Sequence, residues 1–327
     1  MKTRRQFINT MGKGVAASTF ALSSAGAFAG QLVSTEKKNI VIGIIGAENS
    51  HATAFGKMFN VKKQFPGVEV RYIWGETDEF AKKTMKNGQI PNQVKDPKDM
   101  LGKIDALIVD HRHPKYHLEA AVPFIKAGIP TFIDKPFCYR LEEGKKFLRL
   151  AREYGTPVTS YSSIAHTAET EDIKKQIAEM GEIKNVVRYG PGEFESKYGN
   201  VFFYGVHTVQ PLMYMFGDDI NKVKVTRNGI KGSAALVFKN GLFATIVFNQ
   251  DHYGWQTFAE TKNGITELKS RITEEEPKKN NVDMVEMFRT GKEPRSYESI
   301  LKCVAVLEAL EKSYVSEDWV KVENVSL

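Results

Sequence analysis

The chain has 327 residues, with 46 lysines and arginines against 39 aspartates and glutamates, which gives a formal net charge of +7. Four of the basic residues and no acidic residue lie in the first 29 positions, so the rest of the chain has a net charge of only +3. This small excess comes without a zinc-finger pattern or a basic stripe, so we expect no nucleic-acid partner. The length suits two domains or one large one.

The first 29 residues have the pattern of an export signal. Residues 3–8 read TRRQFI, a twin-arginine motif, and residues 27–29 (AFA) form a small-residue cleavage site. We predict a twin-arginine signal over residues 1–29 and a linker over residues 30–38, with export to the periplasm by the twin-arginine (Tat) machinery. An ordinary secretory signal with two chance arginines is the alternative. The apolar run inside this segment is too short to cross a bilayer, so we expect no stable membrane anchor.

From residue 39 to residue 160, short apolar runs alternate with helical patterns. Such runs are typical of buried parallel strands, and the alternation predicts an α/β, Rossmann-like, doubly wound parallel sheet over residues 39–160. The predicted strands are Asn39–Ile45, Glu69–Trp74, Ala106–Val109, Thr131–Ile133 and Val158–Tyr161. The predicted helices are His51–Val61, Glu79–Lys86, Tyr116–Lys126 and Leu141–Tyr154.

Residues 161–327 have a different pattern and are predicted to form an α+β domain. Longer strand patterns separated by Asn-Gly turn signals indicate an antiparallel meander. The predicted strands are Lys184–Tyr189, Lys222–Thr226, Ser233–Phe238, Leu242–Phe248, Gln256–Thr261 and Thr266–Lys269. Helices are predicted near Glu169–Met180, at Val282–Arg289 and at Ser299–Ser313.

The turn after the first strand looks like a dinucleotide-binding loop with two glycines missing. The usual Gly-x-Gly-x-x-Gly pattern lets the backbone approach a pyrophosphate at a helix N-terminus. Gly46 fills its first position, whereas Glu48 and His51 occupy the second and third. A carboxylate roughly 5 Å from a phosphate costs about 3 kcal/mol at an effective dielectric near 20. Alternatively, Glu48 turns to solvent and leaves the loop amides free, with Asn49 and Ser50 as helix caps.

Asp134-Lys135-Pro136 follows the strand Thr131–Ile133. Side chains at the carboxyl ends of parallel strands face the ligand crevice. A lysine there can donate a proton or bind a substrate hydroxyl. The alternative is a surface turn closed by proline.

Four features together resemble the glucose–fructose oxidoreductase and inositol dehydrogenase family (Gfo/Idh/MocA). They are the strand with Gly43 and Gly46, the run Asp105–Val109 followed by His117 and Gly128, the motif Asp134-Lys135-Pro136, and the closing segment Gly291–Ser313. The resemblance covers residues 39–327. It implies a dinucleotide-binding domain, then a domain with a large open antiparallel sheet. It also implies hydride transfer on a sugar or polyol, with NAD or NADP held between the domains, in some relatives tightly.

The resemblance implies roles for single residues. Lys135 takes the place of the catalytic lysine and His207 that of the catalytic histidine. Phe203 stands where an aspartate is usual, either as a stacking face for a sugar or as core. Glu76, or Gly75 beside it, takes the place of the acid that holds the adenosine ribose, and no arginine beside it selects a 2′-phosphate, so NAD is expected rather than NADP.

His111, Arg112 and His113 follow the third predicted strand, with His117 close behind. They are interpreted as positive charge near the cofactor or an acidic substrate, or as caps of the strand and helix. A metal site with His51 and His207 is conceivable but is not predicted, because the spacing matches no standard zinc pattern. The candidate cofactor-binding residues are thus Gly43, Gly46, Glu48, Asn49, Ser50, His51, Glu76, His111, His113, His117, Asp134 and Lys135.

Three functions remain open at this stage. The first is an exported oxidoreductase acting on a carbohydrate with NAD. The second is a non-redox carbohydrate enzyme on the same scaffold, and the third is a non-catalytic binding protein. The loop Asp251–Trp255 either lines a sugar pocket or is merely exposed. Cys138 and Cys303 either pair or stay free, and an exposed sheet face would favour a homo-oligomer.

Overall fold

The computed structural model describes residues 39–327, so the predicted signal and linker lie outside the described residues. A six-stranded parallel sheet has the order β3-β2-β1-β4-β5-β6. Strand order reverses between β1 and β4, and a crevice for ligands opens at such a switch point. This confirms the predicted doubly wound sheet. Its strands are β1 Ile40–Ile45, β2 Val68–Trp74, β3 Asn92–Gln93, β4 Ala106–Val109, β5 Thr131–Ile133 and β6 Val158–Thr159.

Four α-helices connect these strands, and all were predicted within a few residues. They are α1 Ser50–Gly56, α2 Asp78–Gly88, α3 His117–Lys126 and α4 Leu141–Glu153. The predicted helix His51–Val61 is split, because α1 passes into a π-helix over Lys57–Val61. At the junction, a Cβ on Gly56 would lie 2.7 Å from the Cα of Gly88, so the two glycines let α1 and α2 pack closely.

The second sheet has seven strands in the order β12-β11-β7-β10-β9-β8-β13. Most neighbours are antiparallel, as predicted, but β7 and β10 are parallel, so a simple meander is wrong. The reason is a helix after β7. After this helix the chain re-enters the sheet at β8, three positions away from β7 in the strand order. The strands are β7 Asn185–Pro191, β8 Ile220–Asn228, β9 Lys231–Phe238, β10 Phe243–Asn249, β11 Gln256–Thr261, β12 Gly264–Glu267 and β13 Val320–Lys321.

That helix, α6 at Val201–Phe216, was not predicted from the sequence. It is apolar on nearly all sides and contains Gly205 and Pro211, so no amphipathic period marks it. It is buried against the second sheet and the closing helix. The other helices of this half are α5 Ala168–Glu179, α7 Lys279–Thr290 and α8 Tyr297–Ser316.

The cores connect the two halves of the chain. Met284 and Phe288 of α7 pack in one cluster with β1 and α1 of the first sheet. Helix α8 packs both on the second sheet and on α4. Cys138 and Cys303 are separate buried free thiols. Among residues 39–327, no helix combines the length and apolar character of a membrane span.

Candidate active site

The loop after β1 is held close to the loop after β4. Gly46 has φ of +107°, and a Cβ there would lie 2.6 Å from the carbonyl carbon of Asp110 and from the amide nitrogen of His111. Only glycine fits both the backbone conformation and the space. Gly43, by contrast, is buried within β1, where a Cβ would meet the sulfur of Met100 at 2.7 Å. Gly43 therefore serves packing inside the sheet, and its assignment to the cofactor stays a prediction.

Glu76, just beyond β2, lies against the same loop. Its Oε2 accepts hydrogen bonds from the backbone N–H groups of Ala47 and Glu48 at 2.9 and 3.0 Å. Its Oε1 is buried and has no hydrogen-bond partner among residues 39–327. An acid at this position of a Rossmann fold accepts a hydrogen bond from the adenosine ribose. The unpartnered oxygen is an acceptor of that kind.

Glu48 neither turns to solvent nor lies free beside the loop. Its Oε1 accepts a 2.6 Å hydrogen bond from the hydroxyl of Tyr198, which follows β7 in the second half of the chain. The carboxylate thus connects the two sides of the crevice. Sequence reasoning missed Tyr198, and no motif could have revealed it, because the two residues are 150 positions apart.

A buried polar network lies at the N-terminus of α1. The amide of Asn49 donates to Asp110 at 2.8 Å and to Asp134 at 3.1 Å, while Nδ1 of His51 lies 3.1 Å from both oxygens of Asp134. Asn49 also caps α1, and Ser50 is its exposed first residue. Burial and the charge of Asp134 raise the pKa of Asp110 well above its usual value. Burial alone would raise the pKa of Asp134, but His51 lowers it below the usual value.

This network also resembles a small metal site, since ligand atoms of His51, Asp110 and Asp134 lie within 4.8 Å of one another. The amide of Asn49, however, donates a hydrogen bond to each of the two carboxyl groups. Both oxygens of Asp134 and Oδ1 of Asp110 therefore have hydrogen-bond partners in the network, whereas Oδ2 of Asp110 is buried and has none among residues 39–327. We read the network as a support that fixes the end of β5 relative to α1.

The predicted positive charge of the histidine cluster is wrong for two of its members. Burial lowers the pKa of His111 to about 3 and that of His113 to about 4, so both rings are neutral near pH 7. His113 instead caps the short helix Pro114–Tyr116 by accepting the N–H of Lys115. Arg112 remains as the cation of the cluster.

His117 connects two loops of the site, and its assignment as a cofactor contact stays a prediction. Its side chain is fully buried, with Nε2 2.7 Å from the carbonyl of His111 and Nδ1 3.0 Å from the carbonyl of Pro136. Both ring nitrogens therefore lie within hydrogen-bonding distance of backbone carbonyl oxygens. His117 fixes the loops after β4 and β5, the second of which contains Lys135.

Lys135, just after β5, approaches helix α6 at Phe203, one turn before His207. Lys135 is buried after β5 and makes no hydrogen bond or ion pair within residues 39–327, while its Nζ lies 5.6 Å from the ring of Phe203. His207, on α6, lies 2.7 Å through Nδ1 from the hydroxyl of Ser162. Burial, followed by the charge of Lys135, lowers the pKa of His207 well below its usual value. Ser162 is fixed in turn by Gln210, whose side-chain oxygen accepts its N–H at 2.6 Å.

Phe203 is buried, yet it belongs to the site rather than to a remote core. Its ring packs 5.1 Å from that of Tyr198, and the Arg112 guanidinium lies over both rings, at 4.2 Å from Tyr198 and 5.2 Å from Phe203. Lys135 approaches the same phenylalanine. Two cationic side chains thus approach the ring at a position where an acid was expected from the resemblance.

The loop Asp251–Trp255 completes the site with aromatic rings. Trp255 packs 6.1 Å from the ring of His207, and Tyr253 packs 4.8 Å from Trp255 and 5.8 Å from Tyr204. The indole N–H of Trp255 is buried with no partner among the described residues. Asp251, His252 and Tyr253 are exposed while Trp255 packs against His207, so a role of this loop in sugar binding stays a prediction.

Comparison with known proteins agrees with this architecture. Residues 40–162 match the family model GFO_IDH_MocA, described as "Oxidoreductase family, NAD-binding Rossmann fold". GenD2 from gentamicin A biosynthesis, solved in complex with NAD, superposes with a TM-score of 0.73 at 14% identity, over 93% of this chain and 100% of that one. The chain has the fold of these dehydrogenases. No curated protein gives a significant match.

Two inositol dehydrogenases from Lactobacillus casei have the same fold. The myo-inositol enzyme, in complex with NAD(H) and myo-inositol, has a TM-score of 0.71 at 14% identity, over 88% of this chain and 98% of that one. The scyllo-inositol enzyme, with NAD(H) and scyllo-inositol, has a TM-score of 0.72 at 14% identity, over 87% and 99%. The similarity spans both sheets, beyond the residues that the family model matches.

Proposed function

We propose that this protein is an NAD-dependent oxidoreductase that oxidises a hydroxyl group of a sugar, polyol or sugar derivative. The observation that carries the proposal is that Lys135, just after β5, approaches α6 at Phe203, one turn before a neutral His207. Alcohol oxidation needs a base for the hydroxyl proton and a group that stabilises developing charge on the oxygen. The pair supplies both.

The residues on the other side of the crevice fit NAD. The buried, unpartnered Oε1 of Glu76 is placed to accept a hydrogen bond from the adenosine ribose. Its negative charge would repel the 2′-phosphate of NADP, which favours NAD. Gly46 keeps the loop tight against β4, and when bound NAD would accept the hydride from the substrate carbon.

In the proposed reaction, the substrate hydroxyl gives its proton to His207, and a bound NAD would supply the hydride acceptor that lets the carbon become a carbonyl. His207 accepts the proton because its low pKa keeps it neutral in the free protein. Ser162 fixes the ring through Nδ1, so Nε2 is the nitrogen left to act. Lys135 stabilises the oxygen as it loses its proton, and the rings of Tyr253 and Trp255 offer flat apolar surfaces for a sugar ring.

We further propose that the protein is exported to the periplasm by the twin-arginine machinery and forms a homo-oligomer. Export is supported only by the sequence pattern of residues 1–29. The homo-oligomer is supported by the second sheet, of which α6 and α8 cover one face. The opposite face carries half-buried Val237, Val247 and Phe258. A second copy packed on these residues would remove apolar surface from water.

The function is tested by binding first and by turnover second. Titration of the purified protein with NADH, followed by its fluorescence, should show saturable binding, and a panel of sugars and polyols should then reduce NAD. Lys135→Gln should lower kcat/KM by roughly 100-fold or more while leaving the Kd for NADH nearly unchanged. Lys126→Gln, at an exposed position of α3, is the matched control.

Absence of NADH and NADPH binding at millimolar concentration would contradict the proposal and favour the non-redox alternative. Full turnover by Lys135→Gln would remove that lysine from the reaction. Turnover of any sugar would exclude the non-catalytic alternative.

A further inference from the structure

We propose that the site selects a sugar that carries an oxyanion, a carboxylate or a phosphate, and that Arg112 binds this group with Lys135 nearby. The proposal rests on the proposed function and names its substrate class. It is carried by two cationic side chains that approach one ring, that of Phe203, at 5.2 and 5.6 Å. Neither has a carboxylate partner among residues 39–327.

Arg112 is positioned but not satisfied. Its guanidinium lies over Tyr198 at 4.2 Å, which fixes its plane by a cation–π contact. No hydrogen bond or ion pair from its N–H groups is present within the described residues, and the side chain is half-buried. A guanidinium has five N–H donors in a planar fork that matches a carboxylate or phosphate. The fork is therefore held in place with its donors left for a ligand or water.

Lys135 also lacks a hydrogen-bond or ion-pair partner among the described residues, and it is more deeply buried than Arg112. It is 6% exposed. An ammonium group at such a depth is costly unless an anion approaches it. Asp134 does not serve, because both of its oxygens contact His51 and one also accepts from Asn49. A ligand that brings its own negative charge would supply the missing partner.

The other acidic groups near the cluster are committed elsewhere. Glu48 accepts from the hydroxyl of Tyr198, and Glu76 accepts from two loop amides. Asp110 accepts from Asn49, and its pKa is raised well above the usual value by burial and by Asp134. Phe203 contributes no charge at a position central to the site. Arg112 is thus left without an ion-pair partner among residues 39–327, and Asp134 and Asp110 interact with the charge of Lys135 without forming an ion pair with it.

The test compares charged and neutral sugars on matched variants. D-glucuronate, D-glucose 6-phosphate and D-glucose are assayed for kcat/KM with NAD and, by calorimetry, for binding to the NADH-loaded protein. The variants are Arg112→Gln and Arg112→Lys, with Lys115→Gln as a control that removes an exposed positive charge nearby.

The wild-type protein should prefer at least one charged probe over glucose by about tenfold or more. Arg112→Gln should lose about 10- to 100-fold on that probe and much less on glucose, so that the charged-to-neutral ratio of kcat/KM falls by about tenfold or more. Arg112→Lys should lie between them, because an ammonium cannot match the planar fork. The control should behave as wild type.

Three results have different meanings. If the wild type binds NADH but binds no charged probe better than glucose, the proposal is overturned. If Arg112→Gln weakens NADH binding and leaves the charged-to-neutral ratio unchanged, Arg112 serves the cofactor pyrophosphate and the proposal is wrong. If the wild type binds no NADH, the proposed function fails. The oxyanion site is then tested by calorimetry on the cofactor-free protein, by comparing the binding of the charged probes with that of glucose in the wild type and in Arg112→Gln.

Discussion

Replacing Glu48 by glutamine should tighten the binding of NADH. The substitution removes one negative charge from the loop but keeps an oxygen that can accept the hydroxyl of Tyr198. A carboxylate roughly 5 Å from a phosphate costs about 3 kcal/mol at an effective dielectric near 20. Half-exposure of Glu48 and its hydrogen bond with Tyr198 both reduce this figure. We therefore expect a gain of about 1.4 kcal/mol, or tenfold in Kd.

The assay is fluorescence titration with NADH at low and high salt. The gain should shrink at high ionic strength, because mobile ions screen a half-exposed charge. Glu79→Gln, at an exposed position in the first turn of α2, is the control for loss of one acidic charge and should leave the Kd unchanged. Unchanged or weaker binding by Glu48→Gln would refute the reasoning, since it would mean that the carboxylate does not face the phosphates or contributes to holding the cofactor.

Two further outcomes follow from the geometry. The pH profile of kcat/KM should show no loss of activity from protonation of His207 near pH 6.5. Burial holds the pKa of His207 well below its usual value, so the ring stays neutral as the pH falls past 6.5. A loss of activity centred near pH 6.5 would contradict the burial argument. For Gly46→Ala, the free energy of unfolding should fall by about 3 kcal/mol from backbone strain plus collision with Asp110 and His111. The control is Gly102→Ala, which has positive φ but open space, and it should cost only about 1 kcal/mol in a urea titration. Equal losses in the two variants would contradict the collision.

Much of the fold was predictable because local patterns carry it. Buried parallel strands are continuous apolar runs, so β1, β4 and β5 were found almost to the residue. Helix α6 was missed for the complementary reason: a helix buried on all sides has no polar face and no period. The parallel pairing of β7 with β10 was missed because it depends on where α6 returns the chain, which is not a local property.

The candidate site divides in the same way. Lys135 was identifiable from its place at the end of a strand, and His207 from a family resemblance. In the structure, Lys135 approaches α6 at Phe203, one turn before His207. The charge of the histidine cluster was misjudged, because residue type indicates a titratable ring but not its burial. His111 and His113 are neutral through desolvation, which depends on neighbours far away in sequence.

The sequence by itself determined the alternation of strands and helices, the tight turn at Gly46 and the chemical groups available at the strand ends. Only the tertiary structure decided how those groups are used. In the folded chain the carboxylate of Glu48 accepts a hydrogen bond from Tyr198, and Arg112 and Lys135 both approach the ring of Phe203. Oε1 of Glu76 has no hydrogen-bond partner among residues 39–327. The physical reason is that hydrogen bonding, desolvation and charge pairing act over a few ångströms in space, whatever the separation along the chain.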